Sequence, residues 1–124
     1  MSTLPRIRNV ALAAVLTLAS TGLLTAATIG PASAAVIVRG SGASWLPATT
    51  NIARGGAVRW RATSGNHVVK AYGGNWFYRQ SLPQGTTTAP RTFNSRGRFR
   101  FFCTIHGSVT NGVCSGMCGK IVVG

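Results

Sequence analysis

The chain has 124 residues, 13 Lys and Arg, and no Asp or Glu, so its formal net charge is +13 at pH 7. Without carboxylate side chains it cannot form a carboxylate acid–base pair, a Ser-His-Asp triad or a glycosidase site. It also lacks the side-chain carboxylates that bind Ca²⁺ and Mg²⁺. The soft and borderline donors that remain are three Cys, two His and a Met beyond the initiator, and these suit copper or zinc.

The N-terminus is typical of a Sec-type secretory signal peptide. Arg6 and Arg8 precede a long apolar stretch, and the small residues of Pro31-Ala32-Ser33-Ala34 predict cleavage after Ala34. Residues 1–34 would then be removed, and residues 35–124 would form one exported domain at the cell surface or in a periplasm-like compartment. A retained transmembrane anchor is the alternative, because the apolar stretch approaches the roughly 20 residues that span a bilayer.

Short runs rich in β-branched and aromatic residues fill the rest of the chain, separated by Gly, Pro, Ser and Asn. No run has a helical period, and this spacing predicts an all-β sandwich or barrel. The predicted strands cover residues 35–39, 50–53, 58–62, 67–71, 91–93, 98–103 and 120–123.

The sixth predicted strand has a clear two-residue alternation. Phe99, Phe101 and Cys103 share one parity, and Arg98 and Arg100 share the other. Side chains of one parity point to one face of a strand. We therefore expect the two aromatic rings and the thiol to point into the core, with both guanidinium groups in solvent.

The soft donors cluster around the last two predicted strands. Two residues separate Cys103 from His106, Met117 precedes the closing strand, and His67 begins an earlier apolar run. Two imidazoles, one thiolate and a weak axial thioether are the ligands of a blue-copper electron-transfer site. Any one of these residues alone is more often an ordinary core residue, and it is their combination that favours a metal site.

The sequence contexts of these donors carry a family resemblance. Phe101-Phe102-Cys103-Thr104-Ile105-His106, the later Met117-Cys118-Gly119-Lys120-Ile121-Val122-Val123, and the approach to His67 through Trp45-Leu46-Pro47 and Val58-Arg59-Trp60 together resemble the cupredoxin family. The resemblance covers roughly residues 36–123 and implies a cupredoxin-like Greek-key β-sandwich with one type 1 copper ion. It implies His67, Cys103 and His106 as equatorial ligands and Met117 as the axial ligand, with His106 on the loop after the strand.

One departure from the family pattern is the length of the loop before Met117. Ten residues, 107–116, separate His106 from Met117, where the family has only a few. The lengthened segment also carries Cys114, followed shortly by Cys118. If Cys103 is the copper thiolate, these two cysteines are free to pair, and a disulfide between them would brace Met117 from both sides.

Zinc is the competing interpretation of the same residues. Cys103, His106, Cys114 and Cys118 form a Cys₃His set of zinc ligands. That assignment leaves His67 and Met117 without a role, and thiols in an exported protein are commonly oxidised. The sequence therefore favours copper over zinc.

The cationic side chains alternate with core positions, so a solvated sheet face is the simplest interpretation of them. Such a surface would steer the protein towards acidic redox proteins, and it also suits an anionic cell-wall polymer or membrane surface. Nucleic acid fits the charge, with Trp45, Trp76 and Tyr72 as stacking surfaces, but a signal peptide argues against that partner.

We expect an exported one-electron carrier and not an enzyme, because four protein ligands leave no open position for a small-molecule substrate. Copper binding and delivery by the same residues is a second hypothesis. A cationic secreted β-protein that binds anionic surfaces is a third. The complete ligand set favours the first two hypotheses, and the absence of acidic residues alone favours the third.

Overall fold

The computed structural model describes residues 34–124, so the predicted signal peptide lies outside the described residues except for Ala34. Within this range no helix is long and apolar enough to span a bilayer. Residues 34–124 contain nine strands: β1 (Val36–Ser41), β2 (Ser44–Leu46), β3 (Thr49–Ile52), β4 (Ala57–Ser64), β5 (His67–Tyr72), β6 (Arg79–Leu82), β7 (Arg91–Thr92), β8 (Gly97–Thr110) and β9 (Val113–Val123).

The strands form two mixed sheets that pack as a sandwich. The first sheet has the order β2-β1-β4-β7, and the second has the order β3-β9-β8-β5-β6. β1 runs parallel to β4 and β3 runs parallel to β9, whereas the other pairs are antiparallel. The prediction of an all-β sandwich is therefore confirmed.

The core lies between the sheets and is rich in aromatic rings. Trp60 and Phe101, one from each sheet, are fully buried and meet edge to face with their centroids 5.4 Å apart. Trp45 meets Phe101 in a similar way at 5.5 Å. Each large side chain buried in this way contributes about 1.5–3 kcal/mol through lost apolar surface, and the edge contacts add to that. The core therefore holds the β3-β9-β8-β5-β6 sheet, which carries all four candidate donors, rigidly against the other sheet.

The alternation in the sixth predicted strand is confirmed. Phe99, Phe101 and Cys103 are buried in β8, while Arg98 and Arg100 are exposed. The prediction of exposed stacking rings is wrong for two residues, since Trp45 and Trp76 are only 2% and 6% exposed. Both indoles pack into the core because burial of their large apolar area is more favourable than its exposure to water.

The main difference from the predicted strands is the long hairpin of β8 and β9. The predicted strand over residues 98–103 continues to Thr110, and the closing strand begins at Val113 instead of residue 120. The ladder is interrupted between Phe102 and Gly107 and then resumes up to the pair Thr110–Val113. The lengthened segment is therefore an extension of the sheet and not an irregular loop.

Candidate metal centre

His67 is the first residue of β5, and its ring is almost fully buried, with 2% of the residue exposed. Its Nε2 lies 2.8 Å from the carbonyl oxygen of Ser64, three residues earlier. Because a carbonyl can only accept, Nε2–H donates this bond and the lone pair is left on Nδ1. The turn before β5 therefore orients the imidazole so that Nδ1 is the free donor.

Gly40 leaves the space that the Cδ2–Nε2 side of the His67 ring occupies. A Cβ on Gly40 would lie 2.8 Å from Cδ2 of His67 and 3.0 Å from Cζ3 of Trp45. The indole of Trp45 covers the imidazole, with the ring centroids 5.6 Å apart. Only glycine at position 40 leaves room for both rings to keep these positions.

Cys103 lies on β8, opposite Val69 of β5, and is fully buried. Its Sγ is 3.7 Å from Nδ1 of His67 and 3.6 Å from Nδ1 of His106. The three donor atoms all lie within 4.8 Å of one another. β5 and β8 thus bring a thiol and two imidazoles to one point.

His106 is the exposed member of this group. The prediction that it lies on a loop is wrong, because β8 continues through it to Thr110. The break in the ladder between Phe102 and Gly107 allows the chain to turn the His106 ring back towards Cys103. One edge of the site is therefore open to solvent through this imidazole, whose ring centroid is 5.1 Å from that of His67.

Met117 lies on β9 and is 1% exposed, in the same buried cluster as Cys103. Gly107 and Gly116 are paired across β8 and β9 directly before it. A Cβ on Gly107 would lie 2.9 Å from the backbone nitrogen of Met117 and 3.2 Å from the carbonyl oxygen of Cys103. The backbones of Cys103 and Met117 are therefore neighbours, in spite of the ten residues between His106 and Met117.

Cys114 and Cys118 form a disulfide, with their Cα atoms 6.2 Å apart. Five consecutive residues of a straight strand would place these atoms about 13 Å apart. β9 is therefore bent within the ring, where Gly116 has a φ of +87°. The disulfide takes two of the four ligands that the zinc interpretation requires, so the Cys₃His interpretation is wrong for this structure.

The spacing and chemistry of the donors fit one transition-metal ion. Metal–nitrogen bonds of about 2.05 Å and metal–sulfur bonds of about 2.3 Å, at angles between tetrahedral and trigonal, separate N and S by about 3.6–3.8 Å. The two observed separations, 3.6 and 3.7 Å, agree with this range. Two imidazoles, a thiol and a nearby thioether form a donor set for one copper ion.

Several residues that shape the site were not among the predicted site residues. Gly40 makes room for the His67 ring, the Ser64 carbonyl fixes its orientation, and the Gly107–Gly116 pair brings Met117 to Cys103. A glycine inside a strand often marks a close approach of another group. Gly40 comes directly after the predicted strand over residues 35–39 and lies inside a strand only in the structure, so that signal was missed, and the Ser64 carbonyl has no sequence signal of its own.

No protein-family model and no curated protein sequence matches the chain. Solved structures with a similar fold are a purple cupredoxin from Nitrosopumilus maritimus and amicyanin from Paracoccus versutus. The purple cupredoxin is 14% identical with a TM-score of 0.58, over 72% of this chain and 99% of that one. The amicyanin is 27% identical with a TM-score of 0.56, over 79% of this chain and 88% of that one.

A copper-containing nitrite reductase from Thermus scotoductus is also similar, at 20% identity and a TM-score of 0.62. The match covers 84% of this chain but 27% of the reductase, so this chain corresponds to about a quarter of that enzyme. The described residues of the protein therefore have the cupredoxin fold, with a His-Cys-His-Met donor cluster for one copper ion.

Proposed function

We propose that the protein is an exported type 1 copper protein that carries one electron at a time between redox proteins. The observation that carries this proposal is the convergence of Cys103 Sγ on the Nδ1 atoms of His67 and His106, at 3.7 and 3.6 Å. His67, Cys103 and His106 would be the equatorial ligands and Met117 the axial one. Copper held in this way supplies a reversible one-electron couple.

The protein holds the proposed copper ligands rigidly in place. His67 is fixed on three sides, by the Ser64 carbonyl, by Gly40 and by the Trp45 indole. Cys103 is held within a paired strand, and the disulfide brackets Met117. Donors that cannot move between the two oxidation states keep the reorganisation on electron transfer small, which supports a carrier.

The exposed edge of His106 is the proposed route for the electron. It is the exposed one of the three donors, since His67 and Cys103 are 2% and 0% exposed. The side chains of Ile105 and Val113 on the same hairpin are 56% and 69% exposed. A partner that contacts the His106 ring would then also meet exposed apolar side chains of the same hairpin, which desolvate easily.

We also propose that the protein is a carrier and not an enzyme. With Met117 as the fourth ligand beside His67, Cys103 and His106, the copper ion would have no coordination position left for a substrate. The nitrite reductase resemblance supports only a shared fold, because this chain corresponds to about a quarter of that enzyme. Export rests on the predicted signal peptide. An acidic redox partner rests on the net charge, which is +13 for the whole chain and +11 after removal of Arg6 and Arg8 (13 − 2), and which would steer such a partner towards the protein.

The test is to add Cu(II) to the purified protein and record its visible absorption and electron paramagnetic resonance spectra. We expect an intense thiolate-to-copper band and a narrow hyperfine splitting. Cys103→Ser should remove the band. Cys114→Ser with Cys118→Ser is the comparison, because it removes sulfur atoms that lie outside the donor cluster: an intense thiolate band should persist there, even where the change around Met117 shifts it. A colourless wild-type product would overturn the proposal.

A further inference from the structure

The outer face of the β3-β9-β8-β5-β6 sheet carries cations in directly opposed pairs. Arg100 of β8 lies opposite Lys120 of β9, and Lys70 of β5 lies opposite Arg79 of β6. Arg98 is exposed on the same face, two residues before Arg100. Like charges directly opposite each other on a sheet destabilise it, and the sequence has no acidic side chain to neutralise them.

The outer face of the other sheet repeats this arrangement. Arg39 of β1 lies beside Arg61 of β4 in the parallel register, and Arg59 lies two residues before Arg61. Arg59 and Arg61 bond to the segment at residues 87–88, through the Thr88 carbonyl and the Thr87 hydroxyl, and both bonds leave the positive charge unneutralised. Both outer faces of the sandwich are therefore cationic.

The end of the sandwich that holds the donor cluster has no cationic side chain in its turns or in the part of the β8–β9 hairpin that extends beyond Cys103. This metal end consists of residues 42–43, 64–66, 83–86 and 104–116, none of which is Lys or Arg. Hydrogen bonds from Gly42 to Ser64 and between Gln84 and Asn66 join these segments. At the opposite end, Arg54 and Arg96 lie exposed in the turns. The cationic side chains thus lie on the outer faces and at the far end of the domain, away from the segments around the donor cluster.

We propose that the two outer faces bind a flexible polyanion, a polymer with repeating phosphate or carboxylate groups, and that the metal end stays uncovered. A folded acidic protein needs one complementary patch, and a flat membrane contacts one face. Opposed cation pairs on both faces suit a chain that can follow the surface from one face to the other. Arginine forks bind both kinds of oxyanion.

Two observations argue against nucleic acid as this polymer. Single-stranded nucleic acid is bound by stacking its bases on exposed aromatic rings. Trp45 and Trp76 are buried, and Tyr72 packs its ring against Phe102 at 5.8 Å. Phe77 is 89% exposed but lies outside both cationic faces. The cationic faces offer one half-buried ring, Tyr72 opposite Arg100, and no series of rings on which successive bases could stack, so a polymer without bases fits them better.

This inference goes beyond the proposed function, since it needs no metal. Binding of long-chain inorganic polyphosphate to the metal-free protein would be measured by titration calorimetry over a range of salt concentrations, with polyglutamate as the carboxylate probe. We expect tight, salt-dependent binding of at least one of them. Arg100→Gln with Lys120→Gln, and separately Arg39→Gln with Arg61→Gln, should each lower the salt slope by about 1.4, and the affinity on the order of tenfold at 0.1 M salt.

The matched control is Arg54→Gln with Arg96→Gln, which removes the same charge from the turns at the far end. It should change the salt dependence of polyphosphate binding by less than half as much as either double variant on a sheet face. An equal loss would mean that net charge alone binds the polymer and would overturn the assignment to the faces. Tighter binding of single-stranded DNA or of anionic vesicles would overturn the choice of polymer.

Orientation would be tested with diethyl pyrocarbonate, which modifies exposed imidazoles. His106 is exposed and His67 is buried, so the metal-free protein should take up the reagent at His106. We expect the same rate with and without saturating polyphosphate. Protection of His106 by the polymer would show that the metal end is covered and would overturn that part of the proposal.

Discussion

Gly107, which follows His106 in the sequence, lies directly opposite Gly116, which precedes Met117, in the pairing of β8 with β9. The segment between them forms a hairpin that leaves and returns at the same place. His106 and Met117 are therefore brought as close as a short loop would bring them. The ten-residue segment, which was the main departure from the cupredoxin pattern, therefore does not separate the backbone of Met117 from that of Cys103.

We expect Gly116→Ala to disrupt the close pairing of Gly107 with Gly116. A Cβ there would lie 2.5 Å from the carbonyl oxygen of His106, and the φ of +87° strains any L side chain. The combined clash and strain should lower the free energy of unfolding by about 1–3 kcal/mol and weaken copper binding. Urea unfolding of the metal-free protein and a copper titration would measure both effects.

Gly112→Ala is the matched control for that substitution. Gly112 has a φ of +78° at the tip of the hairpin, but a Cβ there meets nothing within 4 Å. It should lower stability by about 1 kcal/mol and leave the copper affinity unchanged. Equal loss of copper affinity in both variants would contradict the role assigned to the Gly107–Gly116 pair.

The hairpin could have been predicted from its turn. Asn111-Gly112 lies between Thr110 and Val113, and Asn-Gly between β-forming residues is the strongest short hairpin signal. Asn111 and Gly112 both have positive φ, at 50° and 78°, as that turn requires. The break in the ladder before Gly107 could not have been predicted, because it depends on how the His106 ring turns towards Cys103.

We expect Gly40→Ala to displace the imidazole of His67. The added methyl would lie 2.8 Å from Cδ2 of His67 and 3.0 Å from Trp45, with core residues behind both rings. The copper affinity should fall by about tenfold or more, because the donor must be held in its productive position. A competition titration for copper would measure the loss.

Gly42→Ala provides the comparison for Gly40. It lies two residues away, has a φ of +59°, and a Cβ there meets nothing within 4 Å. The backbone strain should lower stability by about 1–2 kcal/mol without changing copper affinity. If Gly40→Ala bound copper as tightly as the wild-type protein, the slot around His67 would have no role in positioning it.

The disulfide should matter more to the axial donor than to global stability. Replacing Cys114 and Cys118 with Ser opens a ring of about five residues, whose closure contributes about 2 kcal/mol in the chain-entropy relation. We expect the fold to persist and the copper spectrum to change, because Met117 lies inside the ring. Urea unfolding and electron paramagnetic resonance would separate the two effects, with Ser115→Ala as a control in the same ring.

The donors themselves could be predicted from the sequence because their chemistry is scarce in this chain. It has two His and one Met beyond the initiator, so few other combinations of soft donors with Cys103 could be drawn from the sequence. The parity of Phe99, Phe101 and Cys103 was enough to place the thiol in the core. The Ser64 carbonyl could not be found in this way, since every residue has a carbonyl and only the turn before β5 selects this one.

The opposed cations should make the protein more stable when one of them is removed. Lys120 lies directly opposite Arg100, and like charges at such positions cost about 0.2–1 kcal/mol. We expect Lys120→Gln to raise the free energy of unfolding by that amount at low ionic strength. The gain should shrink as salt is added, because salt screens the repulsion between exposed charges in the wild-type protein.

Arg96→Gln separates the effect of this pair from that of total charge. Arg96 lies exposed in the turn before β8, so its substitution removes one charge without relieving an opposed pair. It should stabilise the protein less than Lys120→Gln in urea unfolding at low salt. Equal gains would show that general self-repulsion in a chain of net charge +13 dominates. A larger gain in the free energy of unfolding for Lys120→Gln would show that the destabilising repulsion lies between Arg100 and Lys120, on the sheet face that we assign to polyanion binding.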